Sequence, residues 1–476
     1  MNKIARTFIF VGLVVVILLA MHLLPTLNVG DTELRHVNIL SDVLPEVYQQ
    51  RDGIDVIPKP EPPKPIVPRA TATTGLTDTS VSGSQPATKV QLDTTAAMPV
   101  VSSDLIADYS EGKAGGLAHF YHKLAHPSSD RPVRIAYYGD SFIEGDILTG
   151  DLRELLQSRF GGSGVGWVDC DDHLKGFRQT VKRKAVGFTA HEVVKKPFNH
   201  QCEGIAQRYF VPGENSRLWI TGVKAKKHLD TWQQAIFYFR TEEGFTVTPY
   251  VNGDTLPDEH IAGSTAVQKL AHTRSAMHST GYRLNDIGHA TYVYGVALES
   301  KQGVVLDNFS MRGSAGYTLA KIPLQTLHEF AQLRPYDLII LHFGLNVANE
   351  KAHAANYKAY ISRMQQAVEH LRAAFPEASV LIVSMPDRDQ RTDAGIRTIN
   401  GVESLVAYQQ ILASNCHVAY FNLFSAMGGR ESMKRMVDKG LANKDYTHLT
   451  FNGGRHIAKI IYDGLMEAYG QYNSAN

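Results

Sequence analysis

Four short stretches of this chain carry residue types that could together attack an acyl carbonyl. Gly139-Asp140-Ser141 offers a hydroxyl nucleophile, and Asp445-Tyr446-Thr447-His448 offers an imidazole with a carboxylate three positions before it. In a loop, that spacing lets Asp445 bond one ring nitrogen while the other faces a substrate. Gly344-Leu345-Asn346 presents a side-chain amide, and Ser314-Ala315-Gly316-Tyr317-Thr318 a glycine free to offer its N–H. A serine nucleophile needs a base, a group that orients the base, and donors for the oxyanion; these stretches contain one candidate for each part. Taken singly, each has a plainer reading as a turn or a capping pair. Their joint occurrence carries the argument.

The positions of these stretches relative to predicted elements strengthen it. The run Arg134-Ile135-Ala136-Tyr137-Tyr138 is apolar and bounded by Pro132 and Gly139, which predicts a buried strand ending at the serine. Residues 149–160 follow with helical spacing (Leu152, Leu155, Leu156, Phe160), and the start of that helix is expected to lend positive charge near Ser141. Gly139 is expected to let the backbone turn sharply. Apolar strand patterns recur at 337–343, 379–384 and 418–422, alternating with helical patterns at 319–333, 357–375, 402–414 and 456–469. Leu117, Phe120, Tyr121 and Leu124 mark a helix ahead of the first strand. Buried strands alternating with helices predict a parallel sheet covered on both faces, with its active site at the strands' carboxyl ends.

Residues 171–306 differ in texture. Short runs such as Ala235-Ile236-Phe237-Tyr238-Phe239-Arg240 and Thr291-Tyr292-Val293-Tyr294 alternate with Gly, Pro and Asn/Asp turns, predicting an inserted all-β sandwich. The expected organisation is a membrane anchor at 1–27, a Pro/Thr/Ser-rich linker at 28–102, an α/β domain in two parts (103–170 and 307–476), and the insert between them. Residues 8–24 are almost wholly apolar, with Lys3 and Arg6 before them. A helix there, slightly extended, spans the roughly 30 Å hydrocarbon core and puts the remaining chain outside the cytoplasm. Residues 58–68 predict polyproline II, and 70–95 lack the large apolar groups needed to pack.

Formal net charge is +1 and no long basic tract occurs, which points away from nucleic acid. The glycines of 161–166 lack a following Gly-Lys-Ser/Thr, so they read as a loop rather than a phosphate cradle. Cys170, Cys202 and Cys416 have no zinc spacing; Cys170 and Cys202 are the pair an oxidising compartment could join. His173, His191, His200 and His228 read as surface residues of the insert, and His342 as a core histidine. No metal or cofactor is expected.

The four stretches, in this order, resemble the blocks of the SGNH (GDSL-type) hydrolase superfamily. The resemblance implies a flavodoxin-like three-layer fold over about 103–170 and 305–476. It implies Ser141 as nucleophile, His448 as base, Asp445 as its orienter, and an oxyanion hole from Ser141, Gly316 and Asn346, with Gly313 an alternative to Gly316. Phe142 stands where the family usually has Leu, and Val347 where an Asp commonly follows the third-block Asn. Within the superfamily the chain is most similar to bacterial peptidoglycan O-acetylesterases, which carry Gly-Asp after the serine (here Gly145-Asp146) and a carbohydrate-binding-like β-domain between the first and second blocks. That implies O-deacetylation of an envelope polysaccharide by a single-pass inner-membrane protein facing the periplasm or cell exterior. The alternatives are an O-acyltransferase, working with a membrane-bound acyltransferase partner, and a non-catalytic glycan-binding protein.

Overall fold

The computed structural model describes residues 28–29, 32–33, 103, 105–171 and 176–475. The expected anchor at 8–24, the polyproline segment at 58–68, the linker at 70–95 and His173 lie outside the described residues. The chain divides into Met1–Val56, whose described residues form a short antiparallel pair, and Ile57–Asn476, which holds everything below.

Six strands form the central sheet: β1 (Ile106–Asp108), β2 (Val133–Gly139), β3 (Val304–Ser310), β4 (Leu338–His342), β5 (Ser379–Val383) and β6 (Ala419–Phe421). Their spatial order is β3-β2-β4-β5-β6-β1. The first five are parallel, while β1 runs antiparallel to β6. The sheet is therefore mixed rather than wholly parallel as expected. β1 precedes the alternating pattern and adds to the far edge, where a three-residue strand pairs in either direction. Every residue of β2, β4 and β5 is buried, which accounts for their unbroken apolar runs.

Counting only the parallel strands in chain order, the arrangement is 2-1-3-4-5, the flavodoxin-like order. The order reverses between β2 and β4, so the loops after those two strands part there and open a crevice. Helix α6 (Phe451–Ala475) packs on both α1 (Ala118–Ala125) and α2 (Thr149–Phe160). Likewise α4 (Ala354–Ala374) packs on both α3 (Leu324–Leu333) and α5 (Val402–Asn415), and the right-handed crossovers expected of parallel strands put the two groups on opposite faces. The helix expected at 319–333 is split: Pro323 ends the 3-10 turn Tyr317–Lys321 and α3 begins after it.

Between α2 and β3 lies a ten-stranded antiparallel sheet whose main strands include Val181–Glu192, Arg208–Gly222, Trp232–Thr241, Ser264–Met277 and Tyr292–Glu299. It begins at Gly166–Val168, before the expected boundary at 171. Val304–Ser310 belongs to the central sheet, so the expected boundary at 306 falls inside β3. Leu306 reads like the preceding strand Tyr292–Glu299 because both runs are almost wholly buried. Phe237 stacks on Tyr282 at 4.5 Å although their strands are not hydrogen-bonded neighbours, so this sheet folds over its own core.

The two sheets also share a core. Trp167 and Tyr238 from the β-rich region pack with Phe309 of β3 and Phe330 of α3. Beside them lies a buried charge cluster. Glu299 takes Arg134 and Arg334 at 2.7 and 2.9 Å, and Arg334 also reaches Asp307 at 2.6 Å. Burial alone would raise the Glu299 pKa, but the two guanidiniums outweigh it and hold it at about 2. Cys170 and Cys202 are free, buried thiols in different core clusters, and Cys416 is likewise free and buried.

Candidate active site

The serine turn is built by β2 ending against β4. A Cβ on Gly139 would lie 2.9 Å from both the His342 carbonyl and the Ile143 side chain. Glycine is needed at this turn for close approach of the backbone rather than for a positive φ. Ser141 then opens the 3-10 turn Ser141–Asp146, which breaks at Glu144 and Gly145 (φ 62°) before α2 starts at Thr149. The regular helix thus begins too far along to set its amino end directly at Ser141.

Asp140 and Asp146 pin this turn from either side. The buried Asp140 carboxylate accepts from Phe142 N at 3.0 Å and from Leu345 N at 3.3 Å, joining the loops after β2 and β4. Burial pushes its pKa up to about 6, against backbone N–H groups that favour the ionised form. Asp146 is also buried and receives Arg153 at 3.1 Å, Arg178 at 2.8 Å and the Thr149 hydroxyl at 2.8 Å. Those two arginines overcome its desolvation and hold it well below the usual carboxylate range. Arg178 comes from the β-rich region, so that region helps fix the nucleophile's turn. The Gly145-Asp146 pair is an anchor, not a reacting group.

His448 arrives from the loop ahead of α6. The Asp445 carboxylate accepts from the His448 and Thr447 N–H groups, both at 3.0 Å, which closes a tight loop with Tyr446 in the left-handed region (φ 53°). Its other oxygen lies 2.7 Å from His448 Nδ1. Partial burial raises the Asp445 pKa, but bonds from His448 and Thr447 outweigh this and keep it below its ordinary value. With Nδ1–H given to Asp445, Nε2 is left as an acceptor, and Ser141 Oγ stands 3.0 Å from it. Two residues 307 positions apart thus meet across one cleft of about 550 Å³.

The oxyanion candidates divide. Asn346 Nδ2 donates to the Ser314 carbonyl at 2.9 Å, tying the loop after β4 to the loop after β3. Gly316 is not brought to the cleft. It is buried against Phe343 and Met364, and its N–H is spent on Ser314 Oγ at 3.1 Å. Gly313 (φ 83°) is exposed, with nothing within 4 Å of the position a Cβ would take. Gly313 is the alternative that the sequence offered. Sequence reading missed Asp140, which as an aspartate just before a helical turn bears an N-cap signature. A second omission is Arg312, whose guanidinium meets Glu144 at 2.7 Å on the cleft wall.

Four other histidines have structural partners. His342 is buried beside Tyr137 (3.0 Å), and burial pushes its pKa down to about 3. His228 meets Glu154 at 2.8 Å, His200 meets Glu203 at 2.6 Å, and His191 stacks on Tyr209.

Residues 279–455 match the model of the GDSL-like lipase/acylhydrolase family. That stretch is similar to GDSL-type acylhydrolases. The matched span holds Asn346, Asp445 and His448, while Ser141 precedes it on the far side of the β-rich stretch. The GDSL-type fold is similar to that of a solved peptidoglycan O-acetylesterase, 21% identical, over 77% of this chain and 99% of that one, with a TM-score of 0.62. Two further solved structures overlap parts of it. One is a family two carbohydrate esterase from Clostridium thermocellum in complex with cellohexaose (9% identity, 55% of this chain and 95% of that one, TM-score 0.25). The other is the module CsCBM6-3 from Clostridium stercorarium in complex with cellobiose (10% identity, 30% and 98%, TM-score 0.20). No curated protein matches the chain.

Proposed function

We propose that this acylhydrolase removes O-acetyl groups from a cell-envelope polysaccharide such as peptidoglycan. The observation that carries the reading is the hydrogen-bonded series Ser141 Oγ, His448 Nε2, His448 Nδ1, Asp445 Oδ2 in an open cleft. His448 takes the Ser141 proton as Oγ attacks the acetyl carbonyl, and Asp445 stabilises the imidazolium that forms. The Ser141 N–H, the Asn346 amide and the Gly313 N–H hold the oxyanion. His448 then returns the proton to the departing sugar oxygen, and a water attacks the acyl-serine. The side chains of His448 and Asp445 are 32% and 50% exposed, which favours water over a sugar hydroxyl as acceptor and hydrolysis over acyl transfer. The segment 8–24 anchors the protein in the inner membrane, with the catalytic part on the envelope side.

Acetate release from O-acetylated peptidoglycan is the test. Wild-type protein should release acetate, Ser141→Ala should release none above background, and Asn346→Ala should lose about 10²–10³ in rate. Release by Ser141→Ala at the wild-type rate would end the proposal. Acetylated sugar appearing in place of free acetate would move it to the transferase class.

A further inference from the structure

A second hollow of about 420 Å³ adjoins the cleft, and the two share Glu144, Phe177 and Arg312 on their walls. The far wall comes from the β-rich region, at Glu192, Val194 and Lys195. Together they make one groove leading from Ser141 across the Arg312–Glu144 pair.

Its charges are stacked in depth. Arg312 pairs with Glu144 at 2.7 Å, and Lys195 with Glu192 at 2.7 Å, so each pair is formally neutral. In both, the carboxylate lies underneath and the cation on top: Glu144 and Glu192 are 8% and 7% exposed, Arg312 and Lys195 63% and 70%. Arg312 gives its Nε and one terminal nitrogen to Glu144. The other terminal nitrogen is left to face a ligand. Arg208, buried between Asp169 and Glu192, adds a third cation to the lining. The groove thus presents the cations Arg312 and Lys195 in its second hollow, and the half-exposed Asp445 carboxylate on the Ser141 side. Phe177 and Val194, each 42% exposed, supply apolar surface between the cations.

We infer that the groove selects glycans bearing a carboxylate on the sugar unit next to the acetylated one, held by Arg312 and Lys195. This rests on the esterase reading above. A uronic acid and an ether-linked acid on the sugar ring offer the same carboxylate chemistry and differ in its reach from the ring.

The test uses O-acetylated oligosaccharides in matched pairs, one carrying the carboxylate and one reduced to the alcohol, with a uronic-acid pair and an ether-acid pair run separately. Wild-type protein at low salt should favour the acid form of at least one pair by about five- to tenfold in kcat/KM, and the pair that shows it identifies the source. The preference should shrink as ionic strength rises to about 0.5 M. Lys195→Glu should reduce or invert it, and Arg312→Gln should weaken it. Equal turnover of acid and alcohol by the wild type at low salt overturns the inference while leaving the esterase reading standing. Absence of acetate release from every substrate overturns both.

Discussion

At the scale of single residues, the two aspartates of the serine turn matter most after the reacting groups. Asp140 is the centre of the Gly-Asp-Ser signature, yet its side chain points away from chemistry and holds two loops together. Its folded pKa of about 6 lies above the ordinary carboxylate value, so its ionisation weakens the fold as pH rises from about 4 towards 6. The site nevertheless depends on the ionised form, because protonation turns one acceptor oxygen into a donor facing backbone N–H groups. Activity should accordingly fall as pH drops through about 6. In ¹³C-labelled protein the Asp140 carboxyl should titrate with a midpoint near 6; a midpoint near 4 would contradict this assignment. Ser141, His448 and Asp445, which the structure brings into one hydrogen-bonded series, could be picked out in sequence because chemistry restricts their residue types. Gly316 misled because a glycine in a short motif does not reveal whether its N–H is already bonded.

At the scale of elements, strands and helices were legible wherever burial sets a period: β2, β4, β5, α2 and α5 coincide closely with the patterns read from the chain. The antiparallel β1 was not, since a three-residue edge strand has no period to read. Nor was the hairpin formed by Asp389–Thr392 and Gly395–Thr398, whose residues are mostly polar. That hairpin bears directly on the site. Arg388, just before it, donates to the Leu345 and Ala348 carbonyls at 2.9 and 3.1 Å, and so braces the turn carrying Asn346. The next N–H, of Asp389, donates to Tyr446 O in the loop carrying Asp445 and His448. Arg388→Ala should therefore lower kcat by up to ~10²-fold with a smaller change in KM, since it displaces groups rather than removing them. Unchanged kcat would show that the two loops hold themselves.

At the scale of the molecule, the β-rich region and the central sheet are joined by buried charge as well as shared apolar core. Glu299 lies at the end of one sheet's last strand, while Arg134 and Arg334 belong to the other layer. Removing one member strands the rest: Glu299→Ala leaves two guanidiniums buried without that partner and should cost about 3–5 kcal/mol, measured by denaturant unfolding. A loss below about 1 kcal/mol would mean that Asp307 alone suffices for Arg334. None of this could be read in advance, because charged residues 165 and 35 positions from Glu299 give no local hint that they converge. What sequence did convey was the existence of two textures and which one interrupts the other.

The meeting of Ser141 with His448, 307 positions further along, has a consequence for how the protein is made. On a ribosome adding about 5–20 residues per second, the serine precedes its imidazole by roughly 15–60 s. During that interval the emerging polypeptide carries a hydroxyl that no base can activate. Esterase activity should switch on only after synthesis passes the loop before α6, and any product released earlier should be inert.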